Sequence, residues 1–338
     1  MTLDAPFPYF GGKRRAAPRI WQALGDPSGY VEPFAGSAAV LLARPAFRGR
    51  RVETINDADG WLVNAWRAIQ LSPADVAAHA WGPVSEIDYH ARLAWLQERR
   101  SPDLVAWLEG DPEAHDAKAA GWWLYVLACG IGDPFGPGPW RVVDGHLRKL
   151  PHLGNAGQGV NRKLPHLGNA GQGVNRKLPH LGDAGRGQLV AYMQSLADRL
   201  QRVRITCGSW ERVVSPSVTR SGTCGDGTRA VFLDPPYATS GDLYAHASEG
   251  VAEAARAWCL QADRTLRVIL CGYDSEHDEL LAHGWRVIEG KAGRGAGYST
   301  NRFNGRRERL WLSPACIGAE QASLLSLEAP ALAPELIN

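Results

Sequence analysis

A short apolar run that ends in two consecutive prolines constrains the fold of this chain more than any other segment. Ala230–Leu233 is apolar throughout and predicts a buried strand. Pro235 and Pro236 lack the N–H that a central strand must donate, so this strand has to end before them, at Asp234. A carboxylate, a rigid turn and the ring of Tyr237 therefore follow the carboxyl end of a buried strand. In open α/β sheets, ligands bind at that edge.

The polar groups of this turn suit an exocyclic amino group on a flat ring. The Asp234 carboxylate and the Pro235 carbonyl can accept the two N–H bonds of such a group. The ring of Tyr237 can stack on the face of the same ligand. The turn therefore predicts chemistry at an amino group.

A strand-turn-helix unit near the N-terminus predicts a nucleotide-binding sheet. The strand Tyr30-Val31 leads into the turn Glu32–Ser37, a helix follows, and the next strand, Arg51–Ile55, runs into Asn56-Asp57. This order begins a doubly wound sheet, and a carboxylate such as Asp57 can bond ribose hydroxyls there. The turn contains Gly36 but lacks the G-x-G-x-x-G pattern, which counts against a dinucleotide.

The pattern between residues 71 and 188 differs from the sheet-like pattern on both sides of it. Residues 73–129 predict helices, and residues 149–187 hold a Gly-rich, basic repeat of 14 residues. An amphipathic helix, Leu189–Gln201, follows, and then strand-like runs return. We therefore predict an α/β domain made of residues 1–70 and 189–318, an inserted subdomain of residues 71–188, and a frayed tail of residues 319–338.

The repeat and a second basic segment are the candidate nucleic-acid contacts. Residues 148–187 carry seven basic residues against one acid, although the net charge of the whole chain is only +2. Such local positive charge favours contact with phosphates. Alternatively, the repeat is a spacer in a loop, because lengthening a loop costs little free energy. Within the repeat and the segment Lys291–Arg309, the chosen contacts are Lys149, Arg162, Lys163, Arg176, Lys177, Asn301 and Arg302.

Cysteine usage and hydropathy predict a cytoplasmic protein without a metal site. The six cysteines form no C-x-x-C pair, so zinc is not indicated. Cys207 and Cys271 lie in apolar runs and are predicted to be buried and reduced. The chain has no basic-then-apolar N-terminal segment and no apolar run long enough to span a bilayer, so neither secretion nor a membrane is expected.

Four motifs in this order resemble the Dam-like (D12 class, alpha group) adenine-N6-specific DNA methyltransferases. They are Pro8–Lys13, Val31–Ser37, Asn56-Asp57 and Asp234–Tyr237. The resemblance covers residues 5–70 and 189–313 by motif, and the insert by position only. It implies an α/β fold: a doubly wound, mostly parallel Rossmann-like methyltransferase sheet with an inserted helical and loop-rich DNA-recognition subdomain.

The resemblance also implies an activity and its setting. The family transfers a methyl group from S-adenosylmethionine to the exocyclic N6 amino group of a flipped-out adenine in double-stranded DNA. It implies a monomer or weak dimer in the cytoplasm of a bacterial or phage-infected cell, with no metal. The implied catalytic residues are Asp234, Pro235, Pro236 and Tyr237. The implied cofactor-binding residues are Tyr9, Gly12, Lys13, Glu32, Phe34, Gly36, Ser37, Asp57, Ser209, Trp210 and Asp234.

Two departures from the family's pattern leave alternatives open. Ala38 stands where glycine is common, and Ser209 stands where an acid often binds the adenine amino group of the cofactor. Trp210 either packs against that adenine or is a plain core residue. The alternatives to adenine methylation are cytosine-N4 methylation, which Asp234 disfavours because serine is the commoner residue there, and a catalytically weakened DNA-binding relative.

Overall fold

The computed structural model describes residues 3–7, 9, 12–45, 51–99, 103–111, 113–130, 135, 140–143, 146–149, 181–219, 227–236, 250–289 and 307–318. The strands within them are β1 (Gly29–Glu32), β2 (Val52–Asp57), β3 (Trp140–Val143), β4 (His146–Lys149), β5 (Val203–Cys207), β6 (Arg229–Leu233), β7 (Arg267–Tyr273), β8 (Arg286–Glu289) and β9 (Glu308–Leu312). β3 and β4 form a separate antiparallel hairpin, so Lys149 at the start of the repeat lies on a strand.

The remaining strands form one sheet in the order β5-β2-β1-β6-β7-β9-β8. The first five of these strands are parallel to one another, and β9 is antiparallel to both of its neighbours. The prediction of a doubly wound, mostly parallel sheet is therefore confirmed. β1 and β6 are buried along their whole length, as expected for central strands covered on both faces.

The order of the strands places a topological switch point between β1 and β6. From β1 the chain moves outward through β2 to β5, and it then returns to β6 on the other side of β1. Where the winding direction reverses, the loops at the carboxyl ends of the strands separate and leave a crevice for a ligand. The turn after β1 and the turn after β6 flank this crevice.

Ten α-helices connect and cover the described strands. They are α1 (Ala17–Leu24), α2 (Ala39–Leu42), α3 (Gly60–Leu71), α4 (Pro73–Ala80), α5 (Glu86–Glu98), α6 (Asp103–Gly110), α7 (Ala117–Cys129), α8 (Leu181–Leu200), α9 (Pro216–Thr219) and α10 (Val251–Gln261). Short 3-10 helices span Trp210–Val213 and Asp278–His283.

Polar side chains fix the starts of three of these helices. The Asp59 carboxylate accepts the N–H of Trp61 at the start of α3, and Asp116 accepts that of Ala119 at the start of α7. The Ser85 hydroxyl accepts the N–H of Asp88 in the first turn of α5. These bonds satisfy N–H groups that have no partner within the helix.

The helix α8 begins earlier than the sequence pattern predicts. It starts at Leu181, inside the repeat of residues 149–187, instead of at Leu189. At Asp183 this segment carries an acid where the preceding copies carry asparagine, and acidic residues near its N-terminus favour a helix.

Helices α4, α7 and α8 share one hydrophobic core with the sheet. One buried cluster includes Tyr30 and Phe232 of the sheet together with Ala77 of α4, Leu124 of α7 and Leu196 of α8. A second cluster on the other face joins residues of β6 and β7 to α10. The core that positions the ligand edge is therefore continuous with helices of the predicted insert.

A close backbone contact with α4 holds α7 in place, and ion pairs with a buried carboxylate hold α8. A Cβ at Gly121 of α7 would lie 2.7 Å from backbone atoms of α4, so glycine permits this close helix contact. The buried Glu53 carboxylate of β2 accepts hydrogen bonds from Arg199 of α8 and from Arg44, which follows α2. None of the helices in the described ranges is long and apolar enough to cross a membrane.

Candidate active site

The carboxyl edge of the sheet gathers acidic residues from separate parts of the chain. Glu32 ends β1, Asp57 ends β2, and Asp234 follows β6, so parallel pairing brings these three carboxylates to one edge. β9 runs in the opposite direction, and its first residue, Glu308, pairs with Tyr273 at the end of β7. A fourth carboxylate thus reaches the same edge from the other end of a strand.

The N-terminal loop packs on the turn that follows β1. Gly36 has a φ of 47°, and a Cβ on it would lie 2.5 Å from an atom of the Tyr9 ring. Glycine is required there both by the left-handed backbone and by the close approach of that ring. A Cβ at Gly12 would lie 3.3 Å from the hydroxyl oxygen of Ser37. The fold thus brings together four of the residues chosen for cofactor binding.

Lys13 places a buried ammonium group between two carboxylates. Its Nζ lies 2.8 Å from Oδ2 of Asp234 and 2.9 Å from Oε1 of Glu308, and its side chain is only 3% exposed. The resemblance implied that Lys13 binds the cofactor. In this structure Lys13 pairs directly with the implied catalytic acid, Asp234.

Asp234 lies directly after the strand that the sequence predicted to end there. β6 ends at Leu233, and the side chain of Asp234 is 19% exposed, so it is reachable from the edge. The Cys271 thiol of β7 hydrogen-bonds to the Asp234 carboxylate, and burial is the main cause that raises the pKa of this thiol. Pro235 is buried and Pro236 is half-buried beside it. Tyr237 lies outside the described residues.

Glu32 is a fully enclosed carboxylate at the end of β1. It accepts hydrogen bonds from the Tyr30 hydroxyl at 3.0 Å and from the Leu41 N–H of α2 at 3.1 Å. Burial raises the pKa of Glu32 to about 8, these two bonds lower it, and the negative charge of Asp234 raises it further. Glu32 is therefore an acid that is poised to change its charge near neutral pH.

Asp57 joins the end of β2 to the turn after β1. Its Oδ2 accepts the N–H of Gly36 at 2.9 Å, and its Oδ1 accepts the N–H of Asp59 at 3.0 Å. Burial raises the pKa of Asp57 to about 6, while these backbone bonds lower it. Each carboxylate oxygen has more than one acceptor site, so hydroxyl groups of a ligand can bond to Asp57 as well.

Asn56 bridges three strand ends, a role that sequence reasoning missed. Its side-chain amide donates to the carbonyl of Pro33 and to that of Gly208, both at 3.0 Å, and its oxygen accepts the hydroxyl of Thr206. It thereby ties together the ends of β1, β2 and β5. The signal in the sequence was an amide side chain directly before the acid at the end of a predicted strand.

The end of β5 lies beyond β2 at the same edge of the sheet. The hydroxyl of Ser209 hydrogen-bonds to the carboxylate of Glu211, so an exposed acid lies two residues beyond the position where the family often has one. The Trp210 ring is 7% exposed, belongs to the second buried cluster, and lies 5.7 Å from the ring of Phe34. This burial favours a core role for Trp210, while Phe34 is only partly covered.

The other departure from the family's pattern, Ala38, has a visible effect on the backbone. Ala38 has a φ of 48°, in the left-handed region that favours glycine. The residue is completely buried at the start of α2. A position where the family often has glycine thus keeps the glycine-like backbone although it carries a Cβ.

Most of the residues chosen as DNA contacts lie outside the described ranges. These are Arg162, Lys163, Arg176, Lys177, Asn301 and Arg302, together with the side chain of Lys149. Two arginines of the second basic segment are described, and both form ion pairs within the chain. Arg307 pairs with Asp274 at 2.6 Å, and Arg309 pairs with Glu289 at 3.4 Å.

The sheet and its edge define the class of protein to which this chain belongs. A mostly parallel seven-stranded sheet, with carboxylates at the ends of β1, β2 and β6, is the arrangement of a Rossmann-like methyltransferase. The family model of the D12 class N6 adenine-specific DNA methyltransferases matches residues 9–82. This N-terminal part of the chain is therefore similar to that family, and the predicted resemblance is confirmed over the matched residues.

The matched residues include the N-terminal loop, the turn after β1 and Asp57. Asp234 and Glu308 lie beyond the match, and they are brought to the same edge by the pairing of β6 and β9 within the sheet. A search among curated proteins found no match to this chain.

Proposed function

We propose that this protein transfers a methyl group from S-adenosylmethionine to the N6 amino group of a flipped-out adenine in double-stranded DNA. The family is adenine-specific and acts on DNA, which supports adenine over cytosine as the target base. The observation that carries the proposal is the position of Asp234, at the carboxyl end of β6 and next to the turn after β1.

The residues around the turn after β1 fit the chemical groups of the cofactor. Glu32 offers a carboxylate to its positive charges, and Asp57 offers acceptors to its ribose hydroxyls. Gly36 lets the ring of Tyr9 pack closely on the turn, and Phe34 is a second, partly covered ring in the same turn. At the adenine end, Ser209 and Glu211 supply a hydroxyl and a carboxylate. The sulfonium of the bound cofactor supplies the reactive methyl group.

Asp234 and the Pro235 carbonyl act on the target amino group. The lone pair of this nitrogen is delocalised into the adenine ring, so the nitrogen is a poor nucleophile. Hydrogen bonds from its protons to Asp234 and Pro235 favour a pyramidal nitrogen and stabilise the positive charge that develops during transfer. Because the base is inaccessible within a duplex, it has to leave the stack, and Tyr237 is our candidate for stacking on it.

The chain divides, in this proposal, into residues 1–70 and 189–318 for catalysis and residues 71–188 for target recognition. The basic repeat at residues 149–187 contacts DNA phosphates. Removal of one 14-residue copy tests this part. A weaker affinity for DNA is expected, whereas unchanged affinity and unchanged site preference would leave the repeat as a spacer.

Incubation of the protein with labelled S-adenosylmethionine and duplex DNA, followed by nucleoside analysis, tests the activity. N6-methyladenine is the expected product, while N4-methylcytosine, or binding without transfer, would overturn the proposal. Asp234→Asn should lower kcat by about a hundredfold or more, because it removes a preorganised charge at the reacting nitrogen. Cofactor binding should largely survive in this variant. Asp198→Asn, an exposed change on α8, is the matched control.

A further inference from the structure

The charge on Lys13 raises a problem for the proposed chemistry. Its ammonium group lies 2.8 Å from the Asp234 carboxylate, in a position that is almost completely buried. Asp234 has to stabilise positive charge on the target nitrogen, and an adjacent ammonium group opposes that effect. Taken by itself, the Lys13–Asp234 pair is neutral.

Glu308 removes this conflict. Its Oε1 lies 2.9 Å from the same Nζ, so the three charged groups together carry one net negative charge. Lys13 can then hold the Asp234 carboxylate in place without cancelling its electrostatic effect on the reaction. The Lys13 bond does not fill the acceptor capacity of the carboxylate, which has about four lone-pair sites.

We propose that Glu308 is a positioning residue for Asp234 and that it acts through Lys13. The inference rests on the proposed function. Glu308 neutralises and orients the Lys13 ammonium group, which in turn fixes Oδ2 of Asp234. The antiparallel direction of β9 is what makes this possible, because it brings the first residue of that strand to the edge where the parallel strands end.

The neighbouring strand contains a control for this effect. Glu289 ends β8, is exposed, and pairs with Arg309 rather than with Lys13. It lies close to Glu308, because Glu289 pairs in the β8–β9 ladder with Arg309, the residue that follows Glu308. A Glu289→Gln variant removes a similar charge from the same end of the sheet without touching the Lys13 pair.

Kinetics of methyl transfer give the first test. Glu308→Gln keeps an acceptor for Lys13 but removes the charge, so kcat should fall about tenfold while KM for S-adenosylmethionine changes less than about twofold. Glu308→Asp restores the charge and should recover part of the lost kcat, and Glu289→Gln should match the wild type. An active wild type together with an unimpaired Glu308→Gln variant would overturn the inference and leave the proposed function intact.

A stability measurement tests the inference independently of activity. In Asp234→Asn or Glu308→Gln, Lys13 keeps one carboxylate partner, but the double variant leaves a buried ammonium group with neither. The fold-increase in its unfolding equilibrium constant should exceed the product of the two single-variant increases by about tenfold or more. A double variant that does not fold, while both single variants and Asp234→Asn/Glu289→Gln do, also supports the coupling.

Additive effects would overturn the role of Glu308. If the wild type proves unable to methylate DNA, the proposed function fails, and this cycle of variants still decides whether Glu308 and Asp234 are coupled through Lys13.

Discussion

The backbone N–H of Gly36 donates a hydrogen bond of 2.9 Å to the carboxylate of Asp57, which links the turn after β1 to the end of β2. The same carboxylate accepts the N–H of Asp59, just before α3. A residue assigned to ribose binding from its position in the sequence is thus also a structural part of the turn. Loss of Asp57 should therefore lower both the stability of the folded state and the affinity for the cofactor.

Asp57→Asn should weaken both properties together. The new amide group places N–H donors against the N–H of Gly36 or Asp59, which should lower the free energy of unfolding by about 1–3 kcal/mol. The Kd for S-adenosylmethionine should rise about tenfold, since a charge-assisted bond to ribose is lost. Urea unfolding and calorimetric titration measure the two effects. Asp59→Asn, in which asparagine still caps α3, should be near neutral in both, and an equal effect in this control would contradict the assignment.

The ionisation of Glu32 should make stability and cofactor affinity depend on pH in opposite directions. Burial raises the pKa of this group from 4.5 in a model peptide to about 8 in the folded protein. The folded state therefore holds the proton more tightly than the unfolded chain between these values, and the free energy of unfolding falls as pH rises through this window. In the proposed function the ionised form binds the positive charges of the cofactor, so affinity should rise with pH up to about 8.

Glu32→Gln isolates this effect. The variant should flatten the pH dependence of both urea unfolding and cofactor binding between about pH 5 and pH 8. The contribution of Asp57 remains in the variant and covers a lower range, from 3.8 to about 6. A cofactor affinity that keeps its wild-type pH profile in Glu32→Gln would show that Glu32 does not face the positive groups of the ligand.

The sheet and the order of the site motifs could be predicted because their signals are local. Apolar runs, the double proline after Asp234 and the acid after β2 each depend on a few neighbouring residues. The pairing of β1 with β2 and β6 then follows from the general topology of doubly wound sheets. These features suffice to predict that Glu32, Asp57 and Asp234 lie at one edge of the sheet.

The partners of Lys13 could not be predicted in the same way. Glu308 lies in a segment rich in basic residues, and its place in the site depends on the antiparallel direction of β9 and its register with β7. The bridging role of Asn56 likewise depends on how β1, β2 and β5 end in space. Such contacts join residues far apart in the chain, so no local pattern reports them. The division of the chain into a catalytic domain and an insert stays a prediction.

The Asn56 amide should be essential for the geometry of the edge. Asn56→Ala removes two donors to buried carbonyl groups and the acceptor of Thr206, which should cost about 2–4 kcal/mol of unfolding free energy. Thr206→Val removes a single hydroxyl from the same network and should cost about 1 kcal/mol. Urea unfolding gives both values, and calorimetric titration should show weaker cofactor binding in Asn56→Ala. Equal and small effects of the two variants would contradict the bridging role.

Ala38 should tolerate glycine far better than a buried alanine in a helix does. The left-handed backbone costs a non-glycine residue about 1–2 kcal/mol, and Ala38→Gly removes this strain. The loss of a buried methyl group costs about 0.8 kcal/mol, and the greater freedom of glycine in the unfolded chain costs about 0.5–1 kcal/mol, so the net effect should be near zero.

Ala65→Gly in α3 provides the matched comparison, because Ala65 is equally buried but has a helical backbone with no strain to relieve. This variant should lose about 1.5–2 kcal/mol of unfolding free energy, from the buried methyl group and the lower helix propensity of glycine. Urea unfolding of the two variants should therefore differ by about 1–2 kcal/mol. Equal losses in both would mean that the backbone at Ala38 relaxes and stores no strain.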